Sequence, residues 1–184
     1  MRMQTLAAAA AFALVGSAAF AQDVKVDFDK DANFGVIKTF AVKIGTSWNN
    51  PLSEKRVVSE IEQSLTEKGW KKADEASADA IVVLHGATSV KKDLNTFYSG
   101  GMGGYGYGWR GLGGLGMGTS TTTVSEYTVG TLVVDIFNAK SKQLLFRGTA
   151  SDEISDKPEK NQKKLAKASD KMFKDFPPGS AKKK

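Results

Sequence analysis

The sequence predicts an α+β domain in two layers, in which a mostly antiparallel sheet carries two amphipathic helices on one face and a long glycine-rich loop. Three observations predict this fold. The predicted elements follow the order strand, strand, helix, strand, long loop, strand, strand, helix. Short polar turns join strands as in hairpins, and only two segments have the apolar period of a helix. Hairpin-linked strands with few crossover helices favour an antiparallel sheet that two helices can cover.

The first two strands are predicted from residues 24–28 and 38–44. Residues 24–28 alternate apolar and charged side chains, which is typical of a half-buried strand. Turn-forming residues follow at 29–33. We expect the second strand to pair back on the first, and residues 45–50 to form a loop.

The first helix is predicted to begin at Asn50-Pro51 and to end at Gly69. Asn is a favoured N-cap, Pro is tolerated at the first helical position, and Gly is typical just after a helix. Its apolar residues share one face of the helical wheel: Val57, Val58, Ile61 and Leu65.

Three strands and a helix are predicted in the rest of the chain. Residues 80–90 are rich in Ile and Val, and residues 121–137 are β-prone with Gly130 as a bulge or bend. A polar turn at 138–142 leads into a partner strand at 143–154.

The last helix is predicted to begin near Asp156, where Asp156 and Glu159 have the spacing of a capping box. It should end at Phe176, because the residues that follow, Pro177-Pro178-Gly179, cannot continue a helix. We expect the basic tail after it, residues 179–184, to be disordered.

The N-terminal segment resembles a secretory signal peptide. Arg2 precedes an apolar run of ten residues, 6–15, and Ala19-Phe20-Ala21 provides the small residues of a cleavage site. Ten apolar residues are too few to span a bilayer as a helix, which needs about 20. We therefore expect cleavage after Ala21, a periplasmic protein, and a single domain over residues 22–178 with no transmembrane span.

Composition excludes several classes of site. The chain has no Cys and one His, which excludes disulfides, thiolate metal sites, Cys nucleophiles, sites with two imidazoles and a lipid anchor on Cys. Residues 22–157 carry 16 basic and 17 acidic residues, so nucleic-acid binding is not expected. Neither a cofactor nor a metal is predicted, and no residue is assigned as catalytic.

The glycine-rich stretch, residues 100–118, contains 11 of the 19 glycines. It matches the G-x-G-x-x-G pattern, but a dinucleotide site needs a strand before the motif and a helix after it. We expect residues 97–120 to form a flexible loop. Alternatively, its side chains bind a partner protein, a glycan or a lipid headgroup, and the candidate residues are Phe97, Tyr98, Tyr105, Tyr107, Trp109 and Arg110.

The last helix carries lysines on one face, at positions 160, 163, 164, 167, 171 and 174. A packed helix with a solvated basic face accounts for this pattern. The alternative is contact with an anionic membrane surface, lipid or lipopolysaccharide, for which the candidates are Lys160, Lys164, Lys167 and Lys171.

Three further patterns predict no chemistry of their own. Asp27, Asp29 and Asp31 have the spacing that begins a calcium loop, but its Gly and bidentate Glu are missing. His85 lies within a predicted strand and is expected to be structural, since a catalytic His needs an oriented partner. Asp135 and Arg147 lie on the two arms of a predicted hairpin and are expected to form a cross-strand pair.

Several ordered blocks of sequence resemble an uncharacterised bacterial envelope family, domain of unknown function 4136, over nearly all of residues 24–178. The blocks run from Val26-Asp27-Phe28-Asp29 to Phe173–Pro178, and include Asn50-Pro51-Leu52, Lys68-Gly69-Trp70, Ala78-Asp79-Ala80, the stretch 130–136 and the stretch 146–150. The resemblance implies an exported α+β domain, often tethered as a lipoprotein. This chain departs from that pattern, because no Cys follows its predicted signal.

We therefore expect an exported, non-enzymatic binding or scaffolding module for an envelope protein or glycan. Two alternatives are a peripheral protein on an anionic membrane surface and an enzyme that uses His85.

Overall fold

The computed structural model describes residues 22–98 and 120–178. The predicted signal peptide, most of the glycine-rich stretch and the basic tail lie outside these residues. The described chain contains strands β1 (Asp23–Phe28), β2 (Thr39–Thr46), β3 (Lys71–Lys72), β4 (Ala80–Tyr98), β5 (Ser120–Asn138) and β6 (Leu144–Glu153), helices α1 (Pro51–Glu67) and α2 (Pro158–Met172), and a 3-10 turn at Phe34–Val36.

The six strands form one mixed sheet in the order β1-β6-β5-β4-β2-β3. The pairs β1–β6, β6–β5 and β5–β4 are antiparallel, whereas β2 runs parallel to β4 and β3. The prediction that β2 pairs back on β1 is wrong. Helix α1 follows β2 and returns the chain along the sheet, so that β2 and β4 run in the same direction, and β1 pairs with β6 instead.

The main core lies between one face of the sheet and the helices. Ala80, Val82 and Leu84 alternate along β4 and belong to the same buried cluster as Ile61 of α1 and Met172 of α2. The aromatic part of this cluster is joined by ring contacts, with centroid distances of 5.0 Å to 6.4 Å, among Phe40, Trp70, Phe146, Phe173 and Phe176. Because both helices contribute to one cluster, sheet and helices form a single packed unit.

Helix α1 agrees with its prediction and α2 differs at both ends. Asn50 caps α1, its side chain accepting a hydrogen bond from the Ser53 N–H. The predicted capping box of α2 is wrong, because the helix begins after Lys157 without a side-chain cap. Asn161 instead exchanges two hydrogen bonds with the backbone of Ser155. Helix α2 ends at Met172 rather than at Phe176.

Strands β4 and β5 pair over 19 residues each, from Ala80–Asn138 to Tyr98–Ser120. The predicted loop 97–120 is therefore too long at both ends. The pair continues past both of its neighbours, since β2 ends opposite His85 and β6 ends opposite Val129. We call residues 86–98 and 120–130 the β4–β5 arm. Gly130 pairs in regular register with both neighbours, so the predicted bulge is absent there.

Candidate functional site

A cleft of about 560 Å³ lies where the first turns of both helices meet the base of the β4–β5 arm. Strand residues with small or apolar side chains line it, together with apolar residues of both helices and of the loops before them. These residues include Trp48, Leu52, Val57, Gly86, Ala87, Gly130, Leu132, Ala150, Ile154, Leu165 and Ala168. The lining is mostly apolar, which is typical of ligand sites.

Trp48 packs directly over Gly86 in this cleft. A Cβ atom added at Gly86 would collide with the Trp48 ring, so the close approach requires glycine. The loop that carries Trp48 is held by Glu54 of α1, whose carboxylate accepts hydrogen bonds from the Trp48 N–H at 3.1 Å and from the Ser47 hydroxyl. One wall of the cleft is thus fixed by contacts that join β2 to α1.

The opposite wall is polar and internally paired. The Lys164 ammonium donates to Asp152 Oδ1 at 3.0 Å and to the carbonyl oxygen of Glu153 at 2.6 Å. The Gln22 side-chain amide donates to the carbonyl oxygen of Lys164 at 2.8 Å and to Asp152 Oδ2 at 3.3 Å. The other side-chain atom of that amide, Gln22 Oε1, is buried without a hydrogen-bond partner. Such an unpaired acceptor costs free energy unless a donor reaches it.

Two charged residues at the cleft have no ion partner within the described residues. They are Arg56 on α1 and Glu153 at the end of β6. Along β6 the Glu153 side chain points to the sheet face opposite Asp152, so the cleft combines an apolar interior with one unpaired cation and one unsatisfied acceptor.

A second group of polar side chains lies on the sheet face opposite the main core. Arg147 donates to both carboxylate oxygens of Asp135 at 2.6 Å, which confirms the predicted pair. Asp135 is only 2% exposed, and its two hydrogen bonds raise the pKa of Arg147. His85 Nε2 lies 3.8 Å from Asp135 Oδ2, and its Nδ1 lies 2.9 Å from the Thr46 hydroxyl.

This group has the residue types of a nucleophile, base and acid triad, but not its geometry. A distance of 3.8 Å is too long for a hydrogen bond between His85 and Asp135, and the carboxylate is already bound by Arg147 on both oxygens. The contacts among these side chains join strands β2, β4, β5 and β6.

The lysines of α2 that were predicted to contact an anionic surface differ in their exposure. Lys160, Lys167 and Lys171 are exposed. Lys164 is half-buried and forms an ion pair with Asp152, and its role as a surface contact stays a prediction. The wheel position of Lys164 gave no sign of this ion pair, because its partner comes from β6.

The candidate partner-binding residues of the glycine-rich stretch fall at or beyond the edge of the described chain. Tyr98 is the last residue of β4. Tyr105, Tyr107, Trp109 and Arg110 lie outside the described residues, and their role stays a prediction.

The cleft itself was not predicted from the sequence. Gly86, a glycine inside the Ile- and Val-rich predicted strand, is a signal that another group approaches the strand closely. The other lining residues are far apart in the chain, and no local pattern joins them.

Among residues 22–98 and 120–178, no helix combines the length and apolar character needed to cross a membrane.

Comparison with known proteins identifies the fold family. The model of a domain of unknown function, DUF4136, matches residues 24–178, which confirms the resemblance seen in the sequence. A DUF4136 family protein from Bacteroides thetaiotaomicron is 14% identical, with 85% of this chain and 96% of that chain covered at a TM-score of 0.49. No curated protein matches the chain.

Two other solved structures resemble this chain. A PDZ domain protein from Parabacteroides distasonis is 17% identical, with 85% of this chain covered at a TM-score of 0.53. The match spans 36% of that protein's length. The PelC dodecamer from Paraburkholderia phytofirmans is 12% identical, with 80% of this chain and 94% of that chain covered at a TM-score of 0.46. At such identities the likeness concerns the fold alone.

Proposed function

The chain belongs to the DUF4136 family, a family of unknown function, and on that premise we propose that it is an exported, non-enzymatic binding module of the bacterial envelope. The module takes up an apolar group of its partner in the cleft between the two helices and the sheet. Export to the periplasm rests on the predicted signal peptide, residues 1–21.

The observation that supports this function most directly is the cleft. Its volume of about 560 Å³ lies within the usual range for small-molecule sites. Leu52 is 69% exposed at its rim, so an apolar partner would remove apolar surface from water. A glycan fits less well, because each of its hydroxyl groups would need a polar partner in a mostly apolar lining.

The polar group around His85 supports a structural rather than an enzymatic role. Asp135 is buried and bound by Arg147 on both oxygens, and a carboxylate so engaged is poorly placed to orient a catalytic imidazole. The enzyme alternative is tested by a His85→Asn variant, which should keep every activity found when the wild type is screened. A loss of ligand turnover in that variant would instead favour the enzyme.

The cleft is tested by titrating the purified protein with the neutral fluorescent probe N-phenylnaphthylamine. Leu52→Asp should weaken probe binding, because it places a charge at the apolar rim. Val36→Asp is the matched control, since Val36 is 65% exposed and lies away from the cleft. Equal binding by both variants, or no binding by the wild type, would contradict the proposal.

A second candidate function is attachment to an anionic membrane surface. It is supported by the exposed lysines of α2 (Lys160, Lys167 and Lys171), none of which has an ion partner among the described residues. Replacing these three by Gln should abolish salt-sensitive co-sedimentation with phosphatidylglycerol vesicles. Unchanged co-sedimentation, or none in the wild type, would remove this candidate.

A further inference from the structure

We propose that the outer edge of strand β1 binds an extended acidic segment of a partner polypeptide, which adds to the sheet as a further strand beside helix α2. No residue of β1 lines the cleft, so this surface is independent of the proposed function. Three observations carry the inference: outward backbone groups along β1, exposed apolar side chains on the same strand, and unpaired lysines on the neighbouring flank of α2.

The outer edge of β1 presents backbone groups that are available to an added strand. β1 is the end strand of the sheet, and its ladder partner is β6. The Asp29 N–H donates to the Leu145 carbonyl oxygen at 2.9 Å, in register with this ladder. Alternate residues of β1 therefore point their N–H and C=O groups outward: Val24, Val26 and Phe28. The Phe28 N–H donates to Asp27 Oδ1 at 2.9 Å, whereas the other two outward N–H groups have no acceptor in the part of the chain that the structure describes.

Apolar side chains are exposed along the same edge. Val26 and Phe28 lie on the face of the sheet that the helices cover, as the partly buried Val24 does. Both are nevertheless exposed, and Val26 lies opposite Gly148 of β6, which has no side chain to shield it. A strand added here would cover this surface with its own side chains, which favours a polypeptide that carries apolar residues.

Helix α2 follows β1 along its length. At one end of β1, the Gln22 side-chain amide donates to the carbonyl oxygen of Lys164 at 2.8 Å. At the other end, Phe28 pairs with Phe146, whose ring stacks on Phe173 just after α2 with a centroid distance of 5.7 Å. An added strand would therefore lie beside the helix as well as beside β1.

Two lysines occupy the flank of α2 on the β1 side. Helix α1 packs on β2 and β3, whereas α2 packs on β1 and β6. The Ser169 and Ser64 hydroxyls bond each other at 2.7 Å between the helices, so the side of α2 opposite Ser169 faces the margin formed by β1. Lys167 and Lys171 come two residues before and after Ser169, which places both on that side. Both are exposed, and neither has an ion partner within the described residues.

Charge complementarity identifies the occupant. Unpaired lysines beside an apolar edge favour carboxylates among the partner's side chains on the helix side. The opposite face of β1 carries Asp23, Lys25 and Asp27, whose mixed charges favour neutral partner residues there. A second copy of this chain, paired through β1, would bring the lysines of two α2 helices together, and like charges at an interface are unfavourable.

The test uses a fluorescent peptide of about nine residues, enough to pair with all of β1, in which threonine alternates with leucine or glutamate. A second peptide has lysine in place of glutamate. Fluorescence anisotropy should show that the purified protein binds the glutamate peptide about tenfold more tightly than the lysine peptide.

Variants separate the backbone contribution from the charge contribution. Val26→Pro removes an outward N–H without breaking a bond to β6, and should weaken the glutamate peptide about tenfold. Val26→Ile keeps that N–H and should bind like the wild type. Joint replacement of Lys167 and Lys171 by Gln should weaken the peptide about fivefold. The matched control is the same change at Lys55 and Lys71, which are exposed near the opposite margin of the sheet.

Amide hydrogen exchange, followed by NMR, gives a readout that needs no variant. At a peptide concentration about ten times its Kd, exchange of the outward Val24 and Val26 N–H groups should slow about tenfold. The Lys25 N–H faces β6 in the ladder, and its exchange should change little.

Each other outcome overturns the proposal in a different way. Protection of Val24 and Val26 that rises with protein concentration alone would identify a second copy as the occupant. Equal binding of the two peptides would overturn the acidic partner, and binding that Val26→Pro leaves unchanged would overturn strand addition. Binding of phosphatidylglycerol vesicles but of neither peptide would assign the lysines to a membrane surface. The titration of the cleft with N-phenylnaphthylamine is separate, so failure of the peptides leaves the proposed function standing.

Discussion

Arg147 and Asp135 face each other directly across the β5–β6 ladder, and the guanidinium binds both oxygens of the buried carboxylate at 2.6 Å. Arg147→Ala would leave that carboxylate without its cation in a position that is 2% exposed. We expect a loss of about 2–3 kcal/mol in the free energy of unfolding, measured by urea denaturation. Arg56→Ala, at an unpaired and exposed arginine, should cost less than about 0.5 kcal/mol. Similar losses in both variants would contradict this account.

Helix α1 provides a matched pair of core and surface positions. Ile61 is fully buried and Leu52 is 69% exposed. Ile61→Ala should lower the free energy of unfolding by about 2–5 kcal/mol, because it removes core contacts and leaves a cavity. Leu52→Ala should change it by less than about 0.5 kcal/mol. An unchanged melting curve for Ile61→Ala would mean that another face of the helix is buried.

Asp79, at the junction of β2 and β4, makes the free energy of unfolding depend on pH. Its carboxylate accepts hydrogen bonds from the Lys38 N–H, the Thr39 hydroxyl and the Thr39 N–H, and these lower the pKa of Asp79 from its ordinary value of 3.8. A lowered pKa in the folded state stabilises the protein above the unfolded pKa, and this stabilisation is lost as the pH falls through the folded pKa.

The Asp79→Asn variant tests this dependence by chemical denaturation at several pH values. The difference in unfolding free energy between wild type and variant should stay constant from neutral pH to about pH 5 and shrink below about pH 4. Asp74→Asn is the control, as an exposed aspartate of the same connection. A difference that is independent of pH throughout would contradict the role assigned to the Asp79 charge.

Lys164 should matter for stability, whereas its neighbour on the helix surface should not. Lys164→Gln removes the ion pair with Asp152 and the hydrogen bond to Glu153, at a cost of about 1 kcal/mol. Lys167→Gln changes an exposed lysine and should cost less than about 0.5 kcal/mol. Thermal unfolding of the two variants checks the difference, and equal midpoints would count against the inward role of Lys164.

The predicted export signal can be tested chemically. The protein recovered from the periplasmic fraction should begin at Gln22, as read by N-terminal sequencing, if the leader is cleaved after Ala21. Recovery in the cytoplasmic fraction with Met1 retained would contradict export.

Local elements could be predicted from the sequence because their signals are local. Asn50-Pro51 indicated the start of α1, and alternation of side chains predicted strand β1, but not its burial, because Val26 and Phe28 are exposed. The choice of strand partners could not be predicted in this way. β1 pairs with residues 146–151, more than a hundred positions along the chain, and nothing near β1 distinguishes that partner from β2. The predicted turn at residues 138–142 is confirmed, because it joins β5 and β6, which are neighbours both in the chain and in the sheet.

The candidate site was harder to predict than the fold for the same reason. The cleft brings together Gln22, Trp48 and Ile154, which share no spacing or motif. Lys164 looked like the other lysines of its helix face, and only the approach of Asp152 from β6 sets it apart. Pairing of such groups is a tertiary property, whereas the predicted pair of Asp135 and Arg147 was visible because a hairpin makes it nearly local.

Strand β3 is the edge strand on one side of the sheet, and it contains only two residues, Lys71 and Lys72, both exposed. A neighbouring molecule that added a strand beside β3 itself would find only two residues of backbone to bond and the charge of Lys71 to displace, whereas residues 41–46 of β2 have no partner from β3. Strand addition at β3 itself is therefore disfavoured, and any edge-to-edge pairing on this side would have to use residues 41–46 of β2.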